Sequence, residues 1–186
     1  METSSYDVDA RVWAGRAVAV PADWFAHESW LHGVHHTQRV HIHAQRLVRK
    51  LRWSDADARV VLSAVLWHDI GRVNDGWDRR HGAFSVARAK KLGLHATLSD
   101  DDAKLALFAI RYHCRSDERG ERRAVGQDDP DRALRILWLL KDADALDRVR
   151  LAAPGNGAYE VDSRTLRYPC APAMIDFAVD LLSVMP

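Results

Sequence analysis

The chain has 186 residues, of which 47% are hydrophobic and 28% are charged, and this composition is ordinary for a globular protein. A formal net charge of +1 argues against a protein that binds nucleic acid over its whole surface. Two cysteines are too few for a disulfide framework, and no apolar run approaches the ~20 residues of a membrane span. Residues 1–15 lack the pattern of a signal peptide, so we expect a cytoplasmic protein with one domain over residues 1–186.

Apolar residues recur at helical spacing along most of the chain, which predicts an all-α fold. Ser54 and Ser99 are each followed three residues later by an aspartate, a pattern typical of a helix N-terminus. Asp129 before Pro130 marks another helix start. The predicted helices span about 23–30, 35–51, 55–69, 81–92, 100–113, 130–149 and 172–184. Two longer segments are predicted as loops, 115–128 and 154–169.

His68 and Asp69 lie side by side at the end of the third predicted helix. His68 shares a helix face with Val61 and Val65, so the pattern places it on a buried stripe. Asp69 lies one position further round the helix, among apolar neighbours. A buried carboxylate is costly unless it is paired or bound to a metal, so the sequence predicts partners for Asp69 elsewhere in the chain.

Four further residues lie on apolar helix faces or at helix ends and are candidate partners: His36, His81, His113 and Asp142. Asp142 shares its face with Leu139 and Leu146, whereas Asp144 and Asp147 belong to a side of the same helix that looks more solvated. Imidazoles and carboxylates together suit a first-row transition metal.

The six candidate ligands are more than one ion takes from a protein if it must also keep open positions for a reactant. We therefore expect two divalent transition-metal ions, about 3.5–4 Å apart, as in two-metal hydrolytic sites. Iron or manganese is expected first, and magnesium, nickel, cobalt and zinc are the alternatives.

The ordered set H…HD…H…H…D resembles the HD superfamily of metal-dependent phosphohydrolases. The matching segments are HTQRV, LWHDIGR, HGAFS, RYHC and KDADALDRVR, which lie within residues 30–150. The resemblance implies a bundle of about six to eight helices with a central metal site. It assigns four residues to the site that the superfamily shares: His36, His68, Asp69 and Asp142. It assigns His81 and His113 to the additional ligands of the dinuclear branches.

One dinuclear branch contains bacterial diadenosine tetraphosphate hydrolases, which have similar HG and YH segments. This chain has Arg72 where that branch usually has lysine, and its RVNDGWDRRHG segment more closely resembles uncharacterised bacterial HD proteins. The resemblance therefore implies a small phosphorylated substrate, with a nucleotide expected first, and leaves the individual substrate open.

In the expected reaction a hydroxide held between the two ions attacks phosphorus in a phosphate ester or anhydride. The expected catalytic residues are Asp69, Arg72 and Lys141. Four residues are expected to bind the substrate. Arginine side chains match the geometry of phosphate, which favours Arg39, Arg72 and Arg148. His32 lies one helix turn before His36 and is the fourth. Two alternatives stay open at this point. They are a di-iron oxygenase of the HD superfamily, which uses a similar ligand set, and a nucleotide-binding module with an idle metal site.

Overall fold

A computed structural model describes residues 5–151 and 161–186, with side chains from residue 8 onward in these ranges. The described residues form eight α-helices and no β-strand, so the predicted all-α fold is confirmed. The helices are α1 (Ser5–Ala14), α2 (Val34–Lys50), α3 (Asp55–Trp67), α4 (His81–Lys91), α5 (Asp100–Tyr112), α6 (Asp117–Ala124), α7 (Pro130–Leu146) and α8 (Ile175–Val184). Short 3₁₀ helices lie at Ala22–Trp24, Leu94–Thr97, Asp147–Leu151, Ser163–Thr165 and Pro172–Met174.

Helices α3, α5 and α7 begin where their capping residues predict. Each cap side chain accepts a hydrogen bond from the backbone N–H three residues later, which satisfies one of the free donors at the helix start. The cap and donor residues are Ser54 and Asp57, Ser99 and Asp102, and Asp129 and Arg132. The boundaries of these helices, and those of α2, α4 and α8, agree with the predicted ones to within a few residues.

Two helices lie where none is predicted, and one predicted helix is much shorter than expected. Helix α6 falls inside the predicted 115–128 loop and buries only Gly120 and Ala124, against α7, so its charged sequence shows no apolar stripe. Helix α1 packs against α8. The predicted helix over 23–30 is a single 3₁₀ turn. Of the predicted 154–169 loop, residues 154–160 lie outside the described residues.

Helices α2, α3, α5 and α7 pack around the main hydrophobic core. Its fully buried side chains include Leu47, Ile110 and Leu139, which come from three different helices. Helix α4 packs on α5, and α6 packs on α7. A smaller cluster joins α1, α2 and α8 through Ala10, Trp13, Ile42, Phe177 and Leu181. None of the described helices is long and apolar enough to cross a bilayer.

Candidate metal centre

His68 and Asp69 leave α3 directly after its last turn and are almost completely buried, with relative exposures of 0% and 3%. The chain then turns sharply against α4 at Gly71. A Cβ atom at Gly71 would lie 2.2 Å from the backbone of Phe84 and Ser85, so only glycine permits this approach. The Gly71 N–H donates to the Ser85 hydroxyl at 3.0 Å. This contact fixes the His-Asp pair beside the first turn of α4.

Four histidines gather here, and the Nδ1 atom of each is held by an oxygen acceptor. The pairs are His36 with Asp147 Oδ2 at 2.7 Å, His68 with the Val65 carbonyl at 2.6 Å, His81 with the Asp78 carbonyl at 2.5 Å, and His113 with the Ile110 carbonyl at 2.7 Å. A carbonyl or carboxylate oxygen only accepts, so each Nδ1 carries the hydrogen and each Nε2 keeps a lone pair. Histidines that bind metals are commonly oriented in this way.

The Nε2 atoms face one another in two close pairs. His36 Nε2 lies 3.2 Å from His68 Nε2, and His81 Nε2 lies 2.8 Å from His113 Nε2. Two lone pairs at such distances repel unless a cation lies between them. Nitrogen ligands about 2.0–2.1 Å from a shared ion are about 2.8–3.4 Å apart in octahedral or tetrahedral geometry. The two pairs therefore have the spacing expected of ligands that share an ion.

Asp69 lies between the two histidine pairs and turns one oxygen toward each. Its Oδ2 is 3.8 Å from the Nε2 atoms of both His36 and His68. Its Oδ1 is 3.4 Å from His81 Nε2 and 3.5 Å from His113 Nε2. This Oδ1 is buried and has no hydrogen-bond partner among the described residues. An unsatisfied buried carboxylate oxygen is costly, and a bound cation would remove that cost.

The acid that completes the first group is Asp144, and the prediction of Asp142 as a ligand is corrected. Asp144 Oδ1 lies 3.4 Å from His36 Nε2 and 3.9 Å from His68 Nε2. Asp142 belongs to none of the ligand groups formed by the described residues. Its carboxylate is saturated by the Arg167 and Tyr168 N–H groups and by the Arg167 guanidinium, at 2.8–3.0 Å. It fixes the segment 166–168 to α7.

The apolar stripe misidentified Asp142 because α7 is buried on almost every side. Leu137 and Leu140, on the face predicted to be solvated, are both fully buried. Asp147 is fully buried as well, and it accepts hydrogen bonds from Arg39 and His36. A usable signal was the i, i+3 spacing of Asp144 and Asp147, which places the two acids on one helix face.

The protonation states favour metal binding. Burial is the main cause that lowers the pKa of His36 and of His68, so both imidazoles are neutral near pH 7. Burial acts to raise the pKa of the Asp69 carboxyl, but the surrounding histidines, His68 first, hold that pKa well below its usual range. Neutral imidazoles and ionised carboxylates are the forms that bind divalent ions.

Arg39 does not reach the substrate side of this centre, so its predicted role in substrate binding is corrected. Its side chain is 3% exposed, and its Nε donates to Asp147 Oδ1 at 2.7 Å. Its Nη1 donates to the Met185 carbonyl at 2.8 Å. Since Asp147 holds His36, Arg39 supports a candidate ligand from behind.

The other predicted contacts line a cavity of about 780 Å³ that opens above Asp69. Arg72 Nε donates to Asp69 Oδ2 at 3.0 Å, and His32 Nδ1 lies 3.2 Å from the same oxygen. Lys141 donates to the Arg115 carbonyl at 2.8 Å and pairs with Asp117.

Arg148 is exposed on the wall of the same cavity and forms no ion pair with a described residue. Of the predicted cationic residues that line the cavity, Arg72 and Lys141 are paired with described acids, whereas Arg148 acts on Asp144 only electrostatically.

The chain matches the model of a known protein family. The model of the HD-domain family matches residues 33–149, which is more than half of the chain. The chain belongs to the HD-domain family. A search of curated proteins and a search of solved structures each gave no match.

The matched residues include both histidine pairs, Asp69 and Asp144. The cavity wall formed by residues 164–167 follows the matched part. Most HD-domain proteins are metal-dependent hydrolases, and they bind divalent metals through histidine and aspartate clusters such as these.

Proposed function

We propose that this HD-domain protein is a phosphohydrolase with a two-ion centre, acting on a small phosphate ester or anhydride. The observation that supports it is the position of Asp69. This one carboxylate turns an oxygen to each of two histidine pairs, at the floor of a cavity lined by cationic side chains.

The two proposed sites share Asp69 and are otherwise separate. The first consists of His36, His68, Asp69 and Asp144, and the second contains His81, His113 and Asp69. Divalent ions bound there would activate water for attack on phosphorus and neutralise charge on the phosphoryl oxygens. Arg72, which bonds to Asp69 Oδ2, is a positioning residue in this proposal because it orients the shared carboxylate.

The charge of the cavity favours an anionic substrate. Its cationic lining residues are Arg72, Arg79, Arg115, Lys141, Arg148, Arg150, Arg164 and Arg167. Most of them already have an acidic partner, but Arg79, Arg115 and Arg148 form no ion pair with a described residue. Guanidinium groups that are free in this way bind phosphate oxygens in a bidentate manner. We assign Arg148, which is four residues from Asp144, to the phosphoryl group that is transferred.

The size of the cavity and one exposed aromatic ring support a nucleotide as the substrate. A volume of about 780 Å³ lies in the range of small-molecule sites. Trp77 lines this cavity with 83% of its surface exposed, and the Arg79 guanidinium lies 4.6 Å from its ring. An exposed indole can stack on a nucleobase while the arginine beside it binds a phosphate. His32 and Lys141 lie on the same walls and complete the proposed contacts.

The test is a substrate screen that separates hydrolysis from oxygen chemistry. Protein reconstituted with iron, manganese or zinc is assayed on phosphate monoesters, diesters and nucleotides, with and without oxygen. We expect phosphate or nucleotide release that does not depend on oxygen. Asp69→Asn should abolish it together with binding of both ions, whereas Asp101→Asn, at an exposed surface position, should not. Turnover that requires oxygen would instead establish the oxygenase, and no turnover by the two-ion form would refute the hydrolase.

A further inference from the structure

The second ligand group has three ligand atoms from His81, His113 and Asp69, and a cysteine lies beside it. Cys114 directly follows His113 at the end of α5. Its Sγ atom and one ring nitrogen of each of His81 and His113 all lie within 4.8 Å of one another. The thiol donates to the Arg79 carbonyl at 3.1 Å, on the segment that leads into α4. The sulfur therefore lies between the two chain segments that carry the histidines.

The close packing of α4 on α5 produces this arrangement, and it depends on Gly82. A Cβ atom at Gly82 would lie 2.3 Å from the Ile110 carbonyl oxygen and 3.1 Å from Cys114 Sγ. Because glycine has no Cβ, the first turn of α4 can rest on the last turn of α5. This contact brings His81 next to His113 and leaves Cys114 at the edge of the same group.

We propose that Cys114 is a thiolate ligand of the second metal site. The site would then present two imidazole nitrogens, one carboxylate oxygen and one sulfur. This inference rests on the proposed two-ion centre. On binding, the Sγ–H bond breaks, the proton leaves to solvent, and a sulfur lone pair binds the ion in place of the hydrogen bond to Arg79.

Two observations support the assignment. Asp69 Oδ1, buried and unpartnered among the described residues, points independently to an ion at this position. Sulfur and nitrogen ligands of one tetrahedral ion lie about 3.6 Å apart. Because Sγ lies within 4.8 Å of a ring nitrogen of each histidine, a small movement of the cysteine side chain would bring it to the same ion.

The consequence is that the two sites differ in chemistry. The first offers only nitrogen and oxygen ligands, whereas the second would also offer a soft sulfur. Thiolate ligands select zinc, iron or cobalt over manganese or magnesium. The second site should therefore bind a thiophilic ion, and the two sites can hold ions of different metals.

Cobalt reconstitution tests the proposal, because a thiolate bound to cobalt(II) adds charge-transfer absorption in the near ultraviolet. The absorption should develop with the ion in the second site of the wild-type protein. Cys114→Ser should abolish it and weaken binding at that site by about 100-fold. Cys170→Ser is the matched control, since Cys170 is the other cysteine of the chain and does not line this cavity. Melting curves of the metal-free variants check that both fold.

X-ray absorption on the zinc-loaded wild-type protein needs no variant. It should show a sulfur neighbour at about 2.3 Å from zinc. Binding of two cobalt equivalents without the thiolate charge-transfer band would overturn the role of Cys114 and leave the two-ion centre standing. A charge-transfer band that persists in Cys114→Ser would have the same meaning. Saturation at one equivalent without a sulfur neighbour would overturn both.

Discussion

Asp142 and Asp144 lie two residues apart in α7, and replacing each by asparagine distinguishes a ligand from a structural acid. Asp144 faces the lone pairs of His36 and His68 and accepts no hydrogen bond from a described residue. Asp142 is surrounded by donors from Arg167 and Tyr168. Asp144→Asn should therefore lose metal affinity, whereas Asp142→Asn should lose stability of the fold.

For Asp144→Asn we expect a loss of metal affinity of at least about 100-fold, because removing even a supporting partner of a ligand costs 10–100-fold. The stability of the metal-free protein should stay level or rise, since a negative charge beside imidazole lone pairs is removed. For Asp142→Asn we expect the free energy of unfolding to fall by about 2–3 kcal/mol. This is less than the ~3–5 kcal/mol expected for breaking a fully buried ion pair, because Arg167 is 20% exposed and asparagine keeps one acceptor. The melting temperature should fall by about 4–12 °C.

The assay uses the same samples for two measurements. Titration with zinc against a coloured chelator gives the affinity of the first site, and thermal unfolding in excess chelator gives the stability of the metal-free fold. Weaker metal binding in Asp142→Asn than in Asp144→Asn would refute the assignment of Asp144. An unchanged melting temperature in Asp142→Asn would refute the structural role of Asp142.

Three further outcomes follow from the same geometry. Burial lowers the pKa of His43 to about 4, so as the pH falls below 6.5 the unfolded chain takes up a proton that the folded chain does not. Urea denaturation should show that the free energy of unfolding of the metal-free wild type falls by about 2 kcal/mol more between pH 7 and pH 5 than that of His43→Leu. Equal decreases in the two proteins would contradict the buried neutral histidine. Gly71→Ala should destabilise the protein by about 3 kcal/mol or more, because its Cβ would lie 2.2 Å from the α4 backbone. Gly126→Ala, with 3.8 Å of room, is the control, and similar melting temperatures would show that the close approach is not needed. Arg148→Ala should raise KM for a phosphorylated substrate about tenfold, which corresponds to about 1.4 kcal/mol, with the metal content unchanged. Arg111→Ala, exposed and away from the cavity, should change neither, and an unaltered KM in Arg148→Ala would remove Arg148 from the site.

Properties that depend on neighbours in the sequence could be read directly from it. Helices α3, α5 and α7 start at side-chain caps, and a cap bonds only to its own helix. The inward position of His36 followed from its apolar helix face, and His36 is buried whereas His35, one residue earlier, is exposed.

Periodicity failed where a helix lacks two distinct faces. Helix α6 buries only two small residues, so its sequence resembles a loop. Helix α7 is buried almost all round, so an apolar stripe could not indicate which of its acids faces the histidines. In both cases the deciding contacts come from residues distant in the sequence.

The sequence by itself determined the helical class of this protein, the main helix starts and the four histidines and Asp69 that lie together in the candidate metal centre. The tertiary structure decided which atoms of that set meet. It placed Asp144 on the first histidine pair, directed Asp142 to Arg167, and brought Cys114 beside the second pair through the contact at Gly82. The physical reason is that a ligand group is formed by side chains from different helices, and the distances between those helices are set by packing, which local sequence patterns do not specify.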